Sequence, residues 1–233
     1  TGRQKQSKAI SFWQIRPDNF IGGQYTRTDE RLYVIYIAAV IGGMSGSVVL
    51  YVLLEGIVKF WSSSSFPDLL FGKTVLGGLI GGYAGVELAK KALGYTRPTG
   101  DLFAPMVAVA ILVARLGCLS SGCCPGIEIG PVWYGMRDGQ GVTRFPAVPL
   151  EMLFNFIAVI GLLMLRKSQA YRYQHFHIYL VSYGAFRFFH EFFRDTIKIV
   201  GPLSGYHLAS LALVFFGLFR AWRFTKLAPL GST

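Results

Sequence analysis

The sequence predicts an all-α fold, a polytopic transmembrane helix bundle of about six spans, and three observations carry that prediction. Hydrophobic residues make up 52% of the 233-residue chain and charged residues only 15%, whereas soluble domains run near a quarter charged. Several apolar runs approach about 20 residues, the length that crosses a hydrocarbon core as a helix. The basic residues, finally, collect in alternate connections between those runs.

The spans are expected at roughly 33–58, 72–89, 102–120, 148–165, 175–193 and 203–222. Ahead of them, residues 1–30 are polar and basic and contain "FWQIRPDNFIGGQY", an interfacial segment without the short apolar core of a secretory leader. A single transmembrane domain over 31–226 follows, then a C-terminal tail, 227–233. The first span carries Gly42, Gly43, Ser45, Gly46 and Ser47, and the second carries Gly77, Gly78, Gly81, Gly82 and Gly85. Small residues let helices approach closely in lipid, with Gly78, Gly82 and Gly85 as the expected stripe. Glu87 and Lys91, four apart, are expected to pair near the headgroups. The third span holds Arg115. A Gly- and Pro-rich loop over about 121–147 has Trp133 and Tyr134 suited to headgroup depth. Glu151 opens the fourth span, "YLVSYGAFRFFHEFFRD" makes the fifth, and His207 begins the sixth.

The net charge of +11 invites a nucleic-acid reading, and its distribution argues against one. Fifteen of the 23 Lys and Arg residues fall on one side of the predicted topology and six on the other. The richer side is expected to be cytoplasmic, with both termini inside. The basic residues then orient the chain and meet anionic lipid headgroups.

Charges within spans are costly and mark functional positions. Arg115, Glu151, Arg187, Glu191, Arg194 and His207 fall at one depth in this topology, toward the outer leaflet. Tyr183, Arg187, Glu191 and Arg194 share one face of the fifth helix. Its other face is Phe186, Phe188, Phe189, Phe192 and Phe193, suited to lipid. An Arg187–Glu191 pair that only joins helices is the plain alternative. Guanidinium groups gathered at headgroup depth also suit phosphate, which they grip bidentately while staying charged.

All three cysteines lie in "ARLGCLSSGCCPG", as Cys118, Cys123 and Cys124. Structural thiols or a disulfide from Cys118 to Cys123 or Cys124 are expected ahead of a nucleophile. No metal site is expected, because adjacent cysteines rarely point at one ion and no histidine has the usual spacing.

At "YGAFRFFHEFFRD" the chain resembles the prolipoprotein diacylglyceryl transferase family. "LGGLIG" (76–81), "DLFAPMVAVAILVARLGCLSSG" (101–122) and "FPAVPLE" (145–151) are similar to further family motifs in matching order. The resemblance implies a bacterial inner-membrane enzyme that moves a diacylglyceryl group from phosphatidylglycerol to the lipobox cysteine of a prolipoprotein, releasing glycerol phosphate. It implies phosphate binding and charge stabilisation by Arg115 and Arg187, with Glu151 and Glu191 orienting them. Tyr183, Arg194, Gly77, Gly78, Gly117, Cys118 and Ser121 are expected to line the substrate. No cofactor is expected.

The departures concern thiol chemistry. Leu76 and Phe145 stand where the family has histidines. Cys118 and Ser121 replace two asparagines, Cys123 replaces a glutamate, and Met44 stands near an expected arginine. His190 and His207 are left as general-base candidates, with His207 preferred. A paralogue that transfers a lipid or phosphoglycerol group to a glycan, polyol or lipid is therefore an alternative, and a non-catalytic lipid-binding or transport protein another.

Overall fold

A computed structural model describes residues 30–56 and 72–227. Segments 1–29, 57–71 and 228–233 lie outside it, and with them the expected interfacial segment except Glu30, the expected C-terminal tail except Leu227, and the end of the expected first span.

Among the described residues, six long helices form the architecture. Helix α1 is Glu30–Tyr51 and runs on as a π-helical turn, Val52–Gly56. Helix α2 is Val75–Ala92, capped by Thr74, whose hydroxyl accepts the Gly77 N–H at 3.1 Å. Helix α3 is Gly100–Ser121, stopped by Gly122 in the left-handed conformation, where glycine carries no Cβ penalty. Strands β1 (Met136–Arg137) and β2 (Thr143–Arg144) pair antiparallel, with Met136 opposite Arg144. Helix α4 is Ala147–Ser168. Helix α5 is His175–His190 and tightens into a 3₁₀ turn, Glu191–Phe193. Strands β3 (Lys198–Val200) and β4 (Leu203–Ser204) form a second antiparallel pair before α6, Gly205–Leu227.

Among the described residues, four stretches are long and apolar enough to cross a membrane: Glu30–Glu55, Gly100–Ser121, Ala147–Ser168 and Gly205–Arg223. The apolar run of helix α2 is broken by Glu87, Lys90 and Lys91, and α5 has 16 residues. The apolar helices are largely uncovered by protein. Ile37, Val40, Ile41 and Met44 of α1 and Leu163 and Met164 of α4 are all exposed. A soluble domain does not leave contiguous faces of this kind bare; lipid covers them. The chain is a polytopic membrane protein.

Helices α1 and α2 meet backbone to backbone. A Cβ on Gly42 or Gly81 would overlap the carbonyl of the other, and one on Gly77 would overlap the Gly46 carbonyl. The contact stripe is Gly77, Gly81 and Gly85, not the expected Gly78, Gly82 and Gly85. Gly78 and Gly82 leave ordinary or nearly ordinary room for a Cβ, with nearest atoms at 3.6 and 3.4 Å. The core joins Ile35, Leu76 and Leu79 of this pair to Phe103, Ala104 and Ala108 of α3 and to Tyr179, Leu180 and Tyr183 of α5. Glu87 pairs with Lys90 at 3.5 Å and with Arg220 of α6 at 3.4 Å, not with Lys91 as expected. The Arg220 contact spans 133 residues of sequence, beyond the reach of a helix-spacing rule.

Candidate active site

A cavity of 1690 Å³ separates the α1–α2 pair from α3, α5 and α6. Its two ends are charged and its middle is apolar. Arg115, Arg187 and Arg194 line one end, together with the three cysteines, Asp195 and Thr196. Leu76, Leu79, Phe103, Val107 and Ile111 line the middle, and Glu87, Lys90, Lys91, Arg220 and Arg223 the far end.

The arginines are held from behind. Glu151, 1% exposed, accepts from Arg115 Nη2 at 2.8 Å and from the Tyr183 hydroxyl at 2.7 Å. One helical turn on, Asn155 donates to the Glu151 carbonyl at 2.9 Å and accepts from Tyr179 at 2.7 Å. The i, i+4 spacing that aligned Tyr183, Arg187 and Glu191 on α5 puts Arg187 Nη2 2.7 Å from Glu191 Oε2. Glu191 is fully buried and also accepts from Thr196 at 2.5 Å and Ser204 at 3.1 Å, with Arg194 Nη1 at 3.8 Å. Neither Glu151 nor Glu191 lines the cavity. Three guanidinium groups thus face the cavity end while sharing two carboxylates behind it, and Arg115 Nε is buried with no partner. A buried charge without full compensation favours an anion. The apolar middle of the cavity suits acyl chains.

The two histidine candidates fare differently from expectation. His190 accepts from Arg187 Nη1 at 2.7 Å through Nδ1, so its Nε2 carries the proton and donates to the Ala147 carbonyl at 2.8 Å. Both nitrogens are engaged in positioning Arg187. His207, preferred as a base, is 1% exposed, packs against Phe188 and Phe192 (ring centroids 5.2 and 4.4 Å apart), and stands outside the cavity lining. Its Nδ1 accepts the Ser204 N–H at 3.0 Å. Sequence reading grouped it with the arginines by expected depth, but the helix turns it away from the cavity. Among the described lining residues the one histidine is His177, ten residues along α5 from Arg187 and so about 15 Å away. Leu76, 1% exposed, forms part of the wall.

Of the other expected lining residues, Tyr183 sits behind Arg115, while Gly78, Cys118 and Arg194 line the cavity. Gly77 is turned into the α1 contact. Gly117 and Ser121 lie on the exposed side of the end of α3, where the Ser121 hydroxyl donates to the Gly117 carbonyl at 2.8 Å. The three thiols are free, and no expected disulfide joins them. Outside the spans, Arg144 of β2 bridges Asp138 (2.6 Å) and Asp195 (3.2 Å), tying the first hairpin to the cavity rim. The Arg144 hydrogen bond holds Asp138 below the ordinary carboxylate range.

The lipid-facing helices and the cavity, apolar along its middle with three arginines at one end, define a polytopic membrane protein with a cationic cavity. Comparison with known proteins narrows the class. The chain belongs to the prolipoprotein diacylglyceryl transferase family, whose model matches residues 10–223. It is 29% identical over 210 residues to phosphatidylglycerol–prolipoprotein diacylglyceryl transferase 2 of Clostridium perfringens (strain 13 / Type A), covering 84% of this chain and 80% of that one. It is 27% identical over 198 residues to the phosphatidylglycerol–prolipoprotein diacylglyceryl transferase of Clostridium tetani (strain Massachusetts / E88), covering 82% and 80%. No solved structure matches the chain.

Asn155, Tyr179, Thr196 and Ser204 extend the site beyond the residues expected from sequence. Asn155 carried a signal, since it stands four residues after Glu151 on the same helix. Thr196 and Ser204 reach Glu191 only because the β3–β4 turn folds back over it.

Proposed function

We propose that this chain is a transferase that moves the diacylglyceryl group of phosphatidylglycerol to the thiol of a prolipoprotein cysteine. It would work in a bacterial inner membrane, with both termini cytoplasmic and the arginine end of the cavity toward the outer leaflet. The observation that carries this reading is the set of three guanidinium groups at one end of an apolar cavity, seated on two buried carboxylates. The lipid phosphate lies between Arg115 and Arg187, and the acyl chains lie along Leu79, Phe103 and Val107. The acceptor thiolate attacks the glyceryl carbon next to the phosphate. A C–S bond forms, the C–O bond breaks, and the electron pair leaves on the phosphate oxygen of glycerol phosphate. Arg115 and Arg187 stabilise that developing charge in a site already organised for it. Glu151 and Glu191 position them and do not touch the substrate.

The test is glycerol phosphate release from phosphatidylglycerol by purified protein with a lipobox peptide. Arg115→Ala and Arg187→Ala abolish release while the protein still inserts; full activity in either variant overturns the mechanism. A changed acceptor is favoured by one observation, Leu76 on the cavity wall where the family has histidine. Cells depleted of their own transferase separate the two readings. Growth restored by this chain supports a prolipoprotein acceptor. Phospholipid cleavage in vitro without rescue supports a glycan, polyol or lipid acceptor. Lipid binding with no cleavage supports a transport protein.

A further inference from the structure

The three cysteines converge. Their sulfur atoms all lie within 4.8 Å of one another, and all three residues line the arginine end of the cavity. Adjacent cysteines ordinarily point apart. Here Gly122 (φ 66°) and Cys124 (φ 61°) both adopt the left-handed conformation, and a non-glycine residue held there costs of order 1–3 kcal/mol. That strained turn swings Cys123 and Cys124 round to Cys118 on the last turn of α3. Arg115 Nη1 contacts Cys118 Sγ at 3.6 Å and Cys124 Sγ at 3.7 Å. Three thiolates on one tetrahedral ion stand about 3.8 Å apart, from Zn–S bonds of about 2.3 Å, so closure needs a movement of about 1 Å.

We propose that Cys118, Cys123 and Cys124 form a tris-thiolate site for a divalent thiophilic cation, zinc, whose fourth position opens onto the cavity beside Arg115 and takes the acceptor thiol. Three thiolates and Zn²⁺ sum to one negative charge, and Arg115 lies against two of the sulfurs as its counter-charge. Three protein ligands with one open position is the arrangement of a catalytic rather than a structural zinc. A thiol that coordinates the ion gives its proton to headgroup water and is a thiolate at neutral pH. The bound thiolate then attacks the glyceryl carbon, forming C–S as the C–O bond to phosphate breaks. No general base is needed, which matches a cavity whose arginine end has no histidine among its described lining residues. Metal binding stands apart from the transferase reading; use of the open position by the acceptor rests on it.

The experiment uses the full chain, purified in detergent under anaerobic reducing conditions, stripped with a chelator and titrated with Co²⁺. One equivalent binds with a thiolate-to-cobalt charge-transfer band and tetrahedral visible bands, and zinc displaces it. An N-acetylcysteine ester shifts the visible bands, and the corresponding serine ester does not. Cys118→Ser, Cys123→Ser and Cys124→Ser each weaken cobalt binding by more than about 100-fold, beyond the usual loss on removing an outer partner. Should those variants misfold, alkylation of the unmodified chain decides: zinc protects all three thiols. Fewer protected thiols, substoichiometric cobalt, or a disulfide trapped in membranes overturns the site. Cobalt bound without a thiol-dependent shift overturns the acceptor role. A thiol-dependent shift without glycerol phosphate release leaves the metal site standing and overturns the transferase reading, and with it the acceptor role.

Discussion

Glu151→Gln removes one charge from behind Arg115 with almost no change of shape. Glu151 Oε1 accepts two hydrogen bonds, from Arg115 Nη2 at 2.8 Å and the Tyr183 hydroxyl at 2.7 Å. An amide oxygen keeps the acceptor and loses the countercharge, and at 1% exposure no water replaces it. Stranding one member of a buried ion pair costs about 3–5 kcal/mol. If half of that falls on the position of Arg115 at the transition state, kcat drops about 10- to 70-fold at 1.36 kcal/mol per tenfold. The remainder lowers thermal stability in detergent. KM does not rise, because the released guanidinium still pairs with the lipid phosphate. Tyr183→Phe deletes one hydrogen bond and keeps the ion pair, so its effect is smaller, within the roughly 1.5–3 kcal/mol of a charged hydrogen bond. The expected order of damage is Arg115→Ala, then Glu151→Gln, then Tyr183→Phe, read as initial rates of glycerol phosphate release over a range of phosphatidylglycerol. Wild-type kcat in Glu151→Gln, or equal damage from Tyr183→Phe, would refute the positioning role.

Three further outcomes follow from the geometry. Gly81→Ala forces α1 and α2 apart and destabilises the protein by about 1–3 kcal/mol, as overpacking does, whereas Gly78→Ala is tolerated; thermal melts of the two variants decide between the stripes. His207→Gln keeps kcat far from the loss of about 10²–10⁴ that follows removal of a general base, and a loss of that size would return His207 to the reaction. Because Asp138 is held below its ordinary value, its link to Arg144 is in place above the unfolded carboxylate range, near pH 4, and is lost as pH falls through the lower folded value. Proteolysis of the 136–144 hairpin should therefore rise only at acid pH, and Asp138→Asn should show that susceptibility at neutral pH.

The helices were legible because long apolar runs leave a membrane chain few alternatives. Which glycines touch was not, because stripes through Gly77 and Gly78 are equally helical and differ by one rotation of α2 about its axis. Arg115, Arg187, Glu191 and Arg194 stood out because charge among apolar residues is costly. That His207 stands off the cavity lining was not legible, because sequence reports depth but not direction around a helix. Asn155 could have been read from its place four residues after Glu151, whereas Thr196 is unremarked in its loop until its partner Glu191 is seen. The convergence of the cysteines depends on Cys124 adopting a backbone that its residue type does not advertise.

The glycine contact of α1 and α2 also has a mechanical side. Those helices are locked to each other through their backbones, while their link to α3–α6 runs through side chains such as the Tyr36–Phe103 ring contact at 4.8 Å. The cavity lies on the seam between these two sets of helices. Shear along packed side chains is the easier deformation of such an assembly. Such shear would widen the channel sideways while the arginines, held by carboxylates among α3–α6, kept their places. A double-tailed lipid can then slip in from the surrounding bilayer without disturbing the groups that grip its phosphate.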